Sequence, residues 1–446
     1  MADPNPPPAT GGNGPPTTPA SASASASTST ASPTNAPPPA ANYKAAAPNP
    51  ALRMMGLPGL PKKLPSRNWL IFWALAGSFS GAIIYDRREK KRATARWSRA
   101  VSHLAREPLP SPTQLPRKLT VFLSGPPGDG LRVAQDHFTE YVKPVLAASG
   151  LDWEFVQGRR EGDVRAAVAE RVRRARNPPA PDAAAQTHDE IVRDIRARNG
   201  TPEYRGMRGD VVVGRHAWKE YVRGLHEGWL GPLAPPPEPV VLAQPVEGEA
   251  EEKKKKDERP PQPPPYNTPS SYPTSALPLL IPAEFSPAAP IPFPHILGFS
   301  NTFIRLGRFL TRRRLADDIG REVAAACLAA SREWRDDDEA REALAVEERD
   351  WPKSVWKEDE PEKTEDGESG EKKKQEAERI WTRPVVLDPR VSMRMRRFEM
   401  RPEDEARARE IVVPEEEVEG WIKGSLRSLW RWAVSDPEPK STWVDE

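Results

Sequence analysis

Ser124-Gly-Pro-Pro-Gly-Asp-Gly130 is the stretch of this 446-residue chain whose residue types and spacing first invite chemistry. It joins an apolar run, Lys118-Leu-Thr-Val-Phe-Leu123, to a helical pattern that begins near Leu131. Backbone N–H groups at such a strand-to-helix turn attract anions. A phosphate-binding loop of the P-loop kind needs Gly-x-x-x-x-Gly-Lys-Ser/Thr. Here Gly125 and Gly130 keep the spacing, but Leu131 and Arg132 stand where the lysine and the hydroxyl belong. The loop therefore reads as a tight structural turn. A membrane-anchored enzyme that binds a nucleotide or lipid phosphate at Gly125–Gly130 is the alternative.

No other residue set supplies catalytic machinery. The chain has 6 histidines, and His216 and His226 sit ten positions apart with no neighbouring His or Cys to complete a metal site. His216, near a helix start, reads as a packing or capping residue. The single cysteine, Cys327, excludes an internal disulfide framework and a Cys-based zinc site. There is no Gly-x-Ser-x-Gly, and the carboxylates cluster in charged runs. The expectation is a chain with no catalytic residue, no metal and no cofactor.

What must position everything else is Trp69-Leu-Ile-Phe-Trp-Ala-Leu-Ala-Gly-Ser-Phe-Ser-Gly-Ala-Ile-Ile-Tyr85, a long run without an ionisable side chain. As a helix it reaches about 26 Å, close to the hydrocarbon thickness of about 30 Å. It is apolar around its whole circumference, unlike an amphipathic core helix. A secretory signal would begin near residue 1, whereas a long polar arm precedes this run. The reading is a transmembrane helix over 67–86, with Trp69 and Tyr85 at the two membrane interfaces. Gly77-x-x-x-Gly81 would let a neighbouring membrane helix approach closely.

The rest of the chain divides by composition. Its 37% hydrophobic content and 54 prolines mean that much of it cannot bury enough apolar surface to fold, and the net charge of +2 gives no reason to expect nucleic-acid binding. Residues 1–60 read as a disordered Pro/Ala/Ser-rich arm. Residues 87–107 read as a basic amphipathic helix, taken as lying on anionic lipid, with Ala93, Trp97, Ala100, Val101 and Leu104 on one stripe. Residues 117–232 alternate strand and helix, which predicts a small mixed α/β domain with parallel strands. A Pro-rich charged linker (233–292), a helical segment (293–335) and a charged disordered linker (336–379) follow. The last segment, 380–446, offers an edge strand at Ile380–Leu387 and an amphipathic helix at Glu417–Trp432. The fold class is thus α/β, with one transmembrane helix ahead of the domain, helical C-terminal segments and long disordered linkers.

Several stretches together resemble a known family. They are Pro65–Trp69, Leu123–Asp129, Glu140–Leu146, Gly214–Gly231, Phe293–Phe299, Leu310–Asp318 and Leu387–Arg390. In order and spacing they resemble the fungal mitochondrial inner-membrane translocase subunit family called Tim fifty-four, part of the carrier import complex. The resemblance implies a non-enzymatic subunit of the carrier translocase, anchored in the inner membrane by one span, that helps insert multi-pass carrier proteins. Its implied partners are the channel-forming and other translocase subunits, the small chaperone complexes of the intermembrane space, the inner-membrane AAA protease and inner-membrane lipid. It also implies that the large domain faces the intermembrane space. The Lys/Arg excess on the C-terminal flank of the span points instead to the matrix, so the orientation is taken from the resemblance.

Overall fold

The computed structural model describes residues 66–109, 113–177, 188–201, 204, 206–235, 262–357 and 378–434. The arm at 1–60 and the charged blocks at 236–261 and 358–377 lie outside the described residues.

Helix α1 runs unbroken over Arg67–Val101, 35 residues. Its first part contains a window long and apolar enough to cross a bilayer, with mean hydropathy 1.3 and none of it buried in protein. The second part changes character without breaking. Trp97 and Val101 bury themselves in the domain core, with Ala93, Ala100 and Leu104 packed against it. The basic helix expected over 87–107 is therefore the continuation of the span helix, and its apolar stripe faces protein rather than lipid. Many of its cations are paired in the same way, Arg88 and Arg92 with Glu415, Lys90 with Glu140, Arg96 with Asp317 and Arg99 with Glu417.

The domain is an α/β sheet covered by helices on both faces. Strands β1 (Lys118–Ser124), β2 (Asp152–Gly158), β3 (Gly209–Val213), β4 (Ala288–Ile291), β5 (Ser331–Glu333) and β6 (Arg396–Phe398) lie in the order β2-β1-β3-β4-β6-β5. All neighbours are parallel except β5 and β6. Alternation along the strands feeds two apolar layers. Leu119, Val121, Leu123, Val211, Val213, Ala289 and Ile291 face one, while Phe122, Val212 and Ala288 face the other. The first layer is closed by the end of α1, by α2 (Leu131–His137) and α3 (Lys143–Ser149), which a π-helical turn at Phe138–Val142 joins, and by a later helix at Arg312–Leu328. Pro144 lacks the N–H that would continue a regular ladder there.

The second layer is built on α4 (Asp163–Arg176) and α6 (Arg215–Leu230), with α5 (His188–Arg198) between them in sequence. Glycines set how close α4 and α6 come. A Cβ at Gly224 would reach 2.8 Å from Val168 Cβ, and one at Gly228 would reach 2.5 Å from Val172 Cβ. At this seam the Glu227 carboxylate, fully buried, takes Arg165, itself fully buried, and Arg173 at 2.7 Å. Its Oε1 also accepts from the N–H of Tyr266 at 3.1 Å. Removing one partner of such a buried pair typically costs about 3–5 kcal/mol, because the other charge stays buried.

Beyond β4 come α7 (Thr302–Phe309), α8 (Arg312–Leu328), α9 (Pro402–Glu410) and α10 (Trp421–Val434). Several expectations change here. β4 falls inside the stretch expected as a linker. Its even-numbered residues point away from β3, and pairing on that side with β6 stops at Ala288, so the missing N–H of Pro290 breaks no ladder bond. The segment expected to be helical to residue 335 is helical only to Leu328, where Ala329 turns to φ 60, and β5 follows at Ser331–Glu333. Ile380–Leu387 is not a strand: the carbonyls of Trp381 and Arg383 accept from Lys219 Nζ at 2.6 and 3.1 Å rather than from a neighbouring strand. The final helix begins at Trp421, after a separate turn at Glu415–Val418.

Trp97 seats the far part of α1 on α8. Trp97 Nε1 donates to Asp317 Oδ1 at 2.6 Å, and its ring lies where a Cβ on Gly320 would go. Gly320→Leu should therefore unseat Trp97 and cost about 1–3 kcal/mol of stability, the usual range for overpacking. Denaturant unfolding of the detergent-solubilised protein measures this, and an unchanged midpoint would show that the seat is not tight.

Candidate functional site

In open parallel sheets, ligands bind beyond the carboxyl ends of the strands where the strand order reverses. Here the reversal falls between β1 and β3, and the two loops that meet there are Ser124–Gly130 and Gly214-Arg215-His216. Gly214 takes φ 88 to pass from β3 into α6. The chain fills this crevice itself. A carboxylate from the segment at Ala345–Asp350 reaches in: Glu347 Oε2 accepts from the N–H of Arg215 at 2.8 Å, and Oε1 from that of Phe293 at 2.6 Å. It occupies the first turn of α6, the position in which such folds hold an anion. Gly128, at φ 86, is covered by Leu297 and Pro352, whose side-chain atoms would lie 2.9 and 3.1 Å from a Cβ there. The glycine loop works as a turn under a protein lid.

The neighbouring titratable groups are structural in their contacts. His216 places Nε2 3.0 Å from the Ser124 carbonyl, and burial pulls its pKa down to about 4. His226, also lowered to about 4 by burial, accepts at Nε2 from the Asp388 N–H at 3.0 Å. Arg215 binds Glu348 at 2.7 Å and the Ala343 carbonyl at 2.8 Å, and Lys219 meets the same Glu348 at 2.7 Å. Burial pushes the Cys327 thiol up to about 11, so it is a poor nucleophile. Among the described residues no group of three or more His, Cys, Asp or Glu is arranged to hold a metal ion.

The second built feature is the joint at the end of the span. Asp86 is 2% exposed although it follows the apolar run directly. Its carboxylate accepts from the N–H of Arg312 at 3.1 Å and of Arg313 at 3.3 Å, the first residues of α8, and from Arg313 Nη1 at 3.2 Å. The Arg313 guanidinium lies over the Tyr85 ring, 5.3 Å from its centre. Beside the joint, a cavity of about 850 Å³ is lined by Ile83, Asp86, Lys90, Glu140, Phe309 and Arg312. At the other end of the run, Trp69 stacks on Trp73 with ring centres 6.3 Å apart. A Cβ at Gly77 or Gly81 would meet nothing within 4 Å, so both glycines lie on an open face of α1.

Residues 49–254 and 243–398 match the family model described as inner membrane protein import complex subunit Tim54. The chain belongs to the Tim54 family. It is 56% identical over 420 residues to the mitochondrial import inner membrane translocase subunit tim54 of Neurospora crassa, covering 86% of this chain and 88% of that one. Identity to the Aspergillus oryzae protein of the same name is 43% over 430 residues, covering 84% and 93% of the two chains. The Saccharomyces cerevisiae protein, also so named, is 26% identical over 477 residues, with 80% and 95% covered. As a member of the Tim54 family the chain is a subunit of the mitochondrial inner-membrane import translocase, as the resemblance implied.

In this Tim54 chain the glycine loop and His216 were visible in sequence and do meet, through Ser124. Asp86, Glu220 and Glu347 were missed. Each caps a helix from far away in the chain, and the residues that open those helices supply no side-chain cap of their own. Glu220 takes the N–H groups of Val164 at 3.0 Å and Arg165 at 3.3 Å, and Trp381 Nε1 at 2.8 Å. An acidic residue placed directly at the end of the apolar run was the one signal for Asp86.

Burial pushes the carboxyls of Glu220 and Glu347 up to about 8 and about 7 from the ordinary glutamate value of 4.5, against the donors that favour their charged forms. The folded protein thus holds these protons more tightly than the unfolded chain. Their contribution to stability is fully present below about pH 4.5 and is lost as pH rises through about 7–8. Thermal unfolding of the detergent-solubilised protein should show a fall in midpoint across that window, and Glu220→Gln should flatten it. Equal slopes in both proteins would contradict the assignment.

Proposed function

We propose that this chain is a non-enzymatic scaffold of the carrier translocase, tethered by α1, that helps insert multi-pass carrier proteins into the inner membrane. The observation that carries the reading is the fusion of span and domain. One unbroken helix leaves the apolar segment and enters the sheet's core through Trp97 and Val101. A domain held this way presents its surfaces at a fixed height above the bilayer, as an assembly platform requires. The enzyme alternative loses support because Glu347, Leu297 and Pro352 fill the crevice a ligand would need. On this reading the partners are the channel-forming and other translocase subunits, the small intermembrane-space chaperone complexes and the inner-membrane AAA protease.

The proposed orientation puts the domain in the intermembrane space. The basic flank that argues for the matrix is largely consumed in the fold: Arg88, Lys90, Arg92, Arg96 and Arg99 pair with carboxylates. Protease protection in mitoplasts, with tags at both termini, tests it. The C-terminal tag should be digested once the outer membrane alone is ruptured, and its survival would place the domain in the matrix and remove the docking role.

Trp69 and Tyr85 are proposed as the interfacial anchors, and Gly77 and Gly81 as the close-packing face toward another membrane subunit. Gly77→Leu with Gly81→Leu should reduce co-purification of the translocase channel while leaving carbonate-resistant insertion intact. Undiminished co-purification would remove the two glycines from the interface.

A further inference from the structure

We infer that α7 is a membrane-surface helix, whose apolar stripe lies in the interfacial layer of the same bilayer that α1 crosses. The inference rests on reading Trp69–Tyr85 as the span. Phe299 is 94% exposed, Phe303 84%, Ile304 53% and Leu306 41%, a concentration of open apolar surface in one short stretch. Within α7, Phe303 and Leu306 are spaced i, i+3 and share one side, while Arg305 and Arg308 fall toward the other; Phe299 stands just ahead of the helix. That other side is tied down: Arg308 Nη1 meets Asp350 Oδ2 at 2.8 Å. Phe303 and Leu306 are therefore presented outward by a helix that the domain already holds.

What covers them follows from where α7 ends. Phe309, its last residue, lines the same cavity as Ile83 and Asp86 of the final turn of the span. Arg312 and Arg313, three and four residues on, give their N–H groups to Asp86, and Arg313 stacks over Tyr85. The end of α7 is thus pinned at the depth of the aromatic residue that marks the membrane interface. With eight residues it is about 12 Å long, too short to cross and long enough to lie on the surface. Just past the end of α7, Arg314 is exposed and Arg312 and Arg313 are half-buried. An apolar face bordered by arginines at that depth has the chemistry to take acyl chains and anionic headgroups.

The test uses the full chain, purified and reconstituted into vesicles of phosphatidylcholine with an anionic phospholipid. Phe303→Cys, labelled with an environment-sensitive fluorophore, reports on the stripe. Cys327, buried and with its thiol pushed up to about 11, stays unlabelled. Leu75→Cys in the span is the control. The expected result is a blue shift and loss of emission at both sites when the lipid carries brominated acyl chains, with no quenching by aqueous iodide. Lipid quenching at Leu75→Cys but iodide quenching at Phe303→Cys would overturn this inference alone. Iodide quenching at both would overturn the span reading beneath it. Exposure of Phe303→Cys in vesicles combined with protection in intact mitochondria would assign the stripe to a protein partner and also overturn the proposal. Phe303→Asp, at an exposed position, should leave the unfolding midpoint unchanged.

Discussion

The structure depends on one desolvated carboxylate. Asp86 stands where an apolar helix meets the first charged residues of the domain, and it is almost fully buried. A lone charge in that place would be costly; two backbone N–H groups at the start of α8 and the Arg313 guanidinium offset the cost. The bond fastens the last turn of the span to the helix that closes the first apolar layer. Trp97 in the notch of Gly320 fastens it again, roughly three turns further along α1. Between these two points α1 cannot roll or slide without exposing buried polar groups or breaking close packing.

The same device recurs at the starts of α4 and α6. The first N–H groups of any helix have no partner within it. In α4, α6 and α8 the residues that open the helix do not supply one, and carboxylates from elsewhere in the chain do. Glu220 links α4 to α6, Glu347 links α6 to the segment that covers the strand ends, and Asp86 links α8 to α1. Each cap is also a long-range tie, so local helix order and tertiary order arise together. This also explains the filled crevice at the sheet's switch point: the site that attracts anions in this architecture holds one of the chain's own.

Elements with strong local patterning were legible in the sequence. β1 lies on the apolar run at Lys118–Leu123, and the strand–helix alternation read over 117–232 is the parallel α/β layer that forms there. The short strands were not. β4 has four residues and one is proline, and its identity rests on neighbours in β3 that no local window contains. The continuity of α1 was hidden for the opposite reason. Composition changes sharply at Asp86 while the backbone does not, so one helix read as two, and the stripe of Trp97 and Val101 read as membrane-facing. The glycine loop was legible as a turn because Leu131 and Arg132 lack the chemistry of phosphate binding. The side chains that cover it, Leu297 and Pro352, come from more than 150 residues away and could not be seen.

The unbroken course of α1 has a mechanical consequence. From Tyr85 to Val101 the helix extends about 24 Å beyond the apolar run, and its far end is embedded in the sheet's core. The span's tilt and the domain's attitude are then a single degree of freedom. Spans adjust their tilt to the thickness of the surrounding bilayer. A change of about 10° would sweep the far end of this lever by about 4 Å. With the apolar run set across a bilayer, the thickness of that bilayer would set the angle at which the whole domain stands to it.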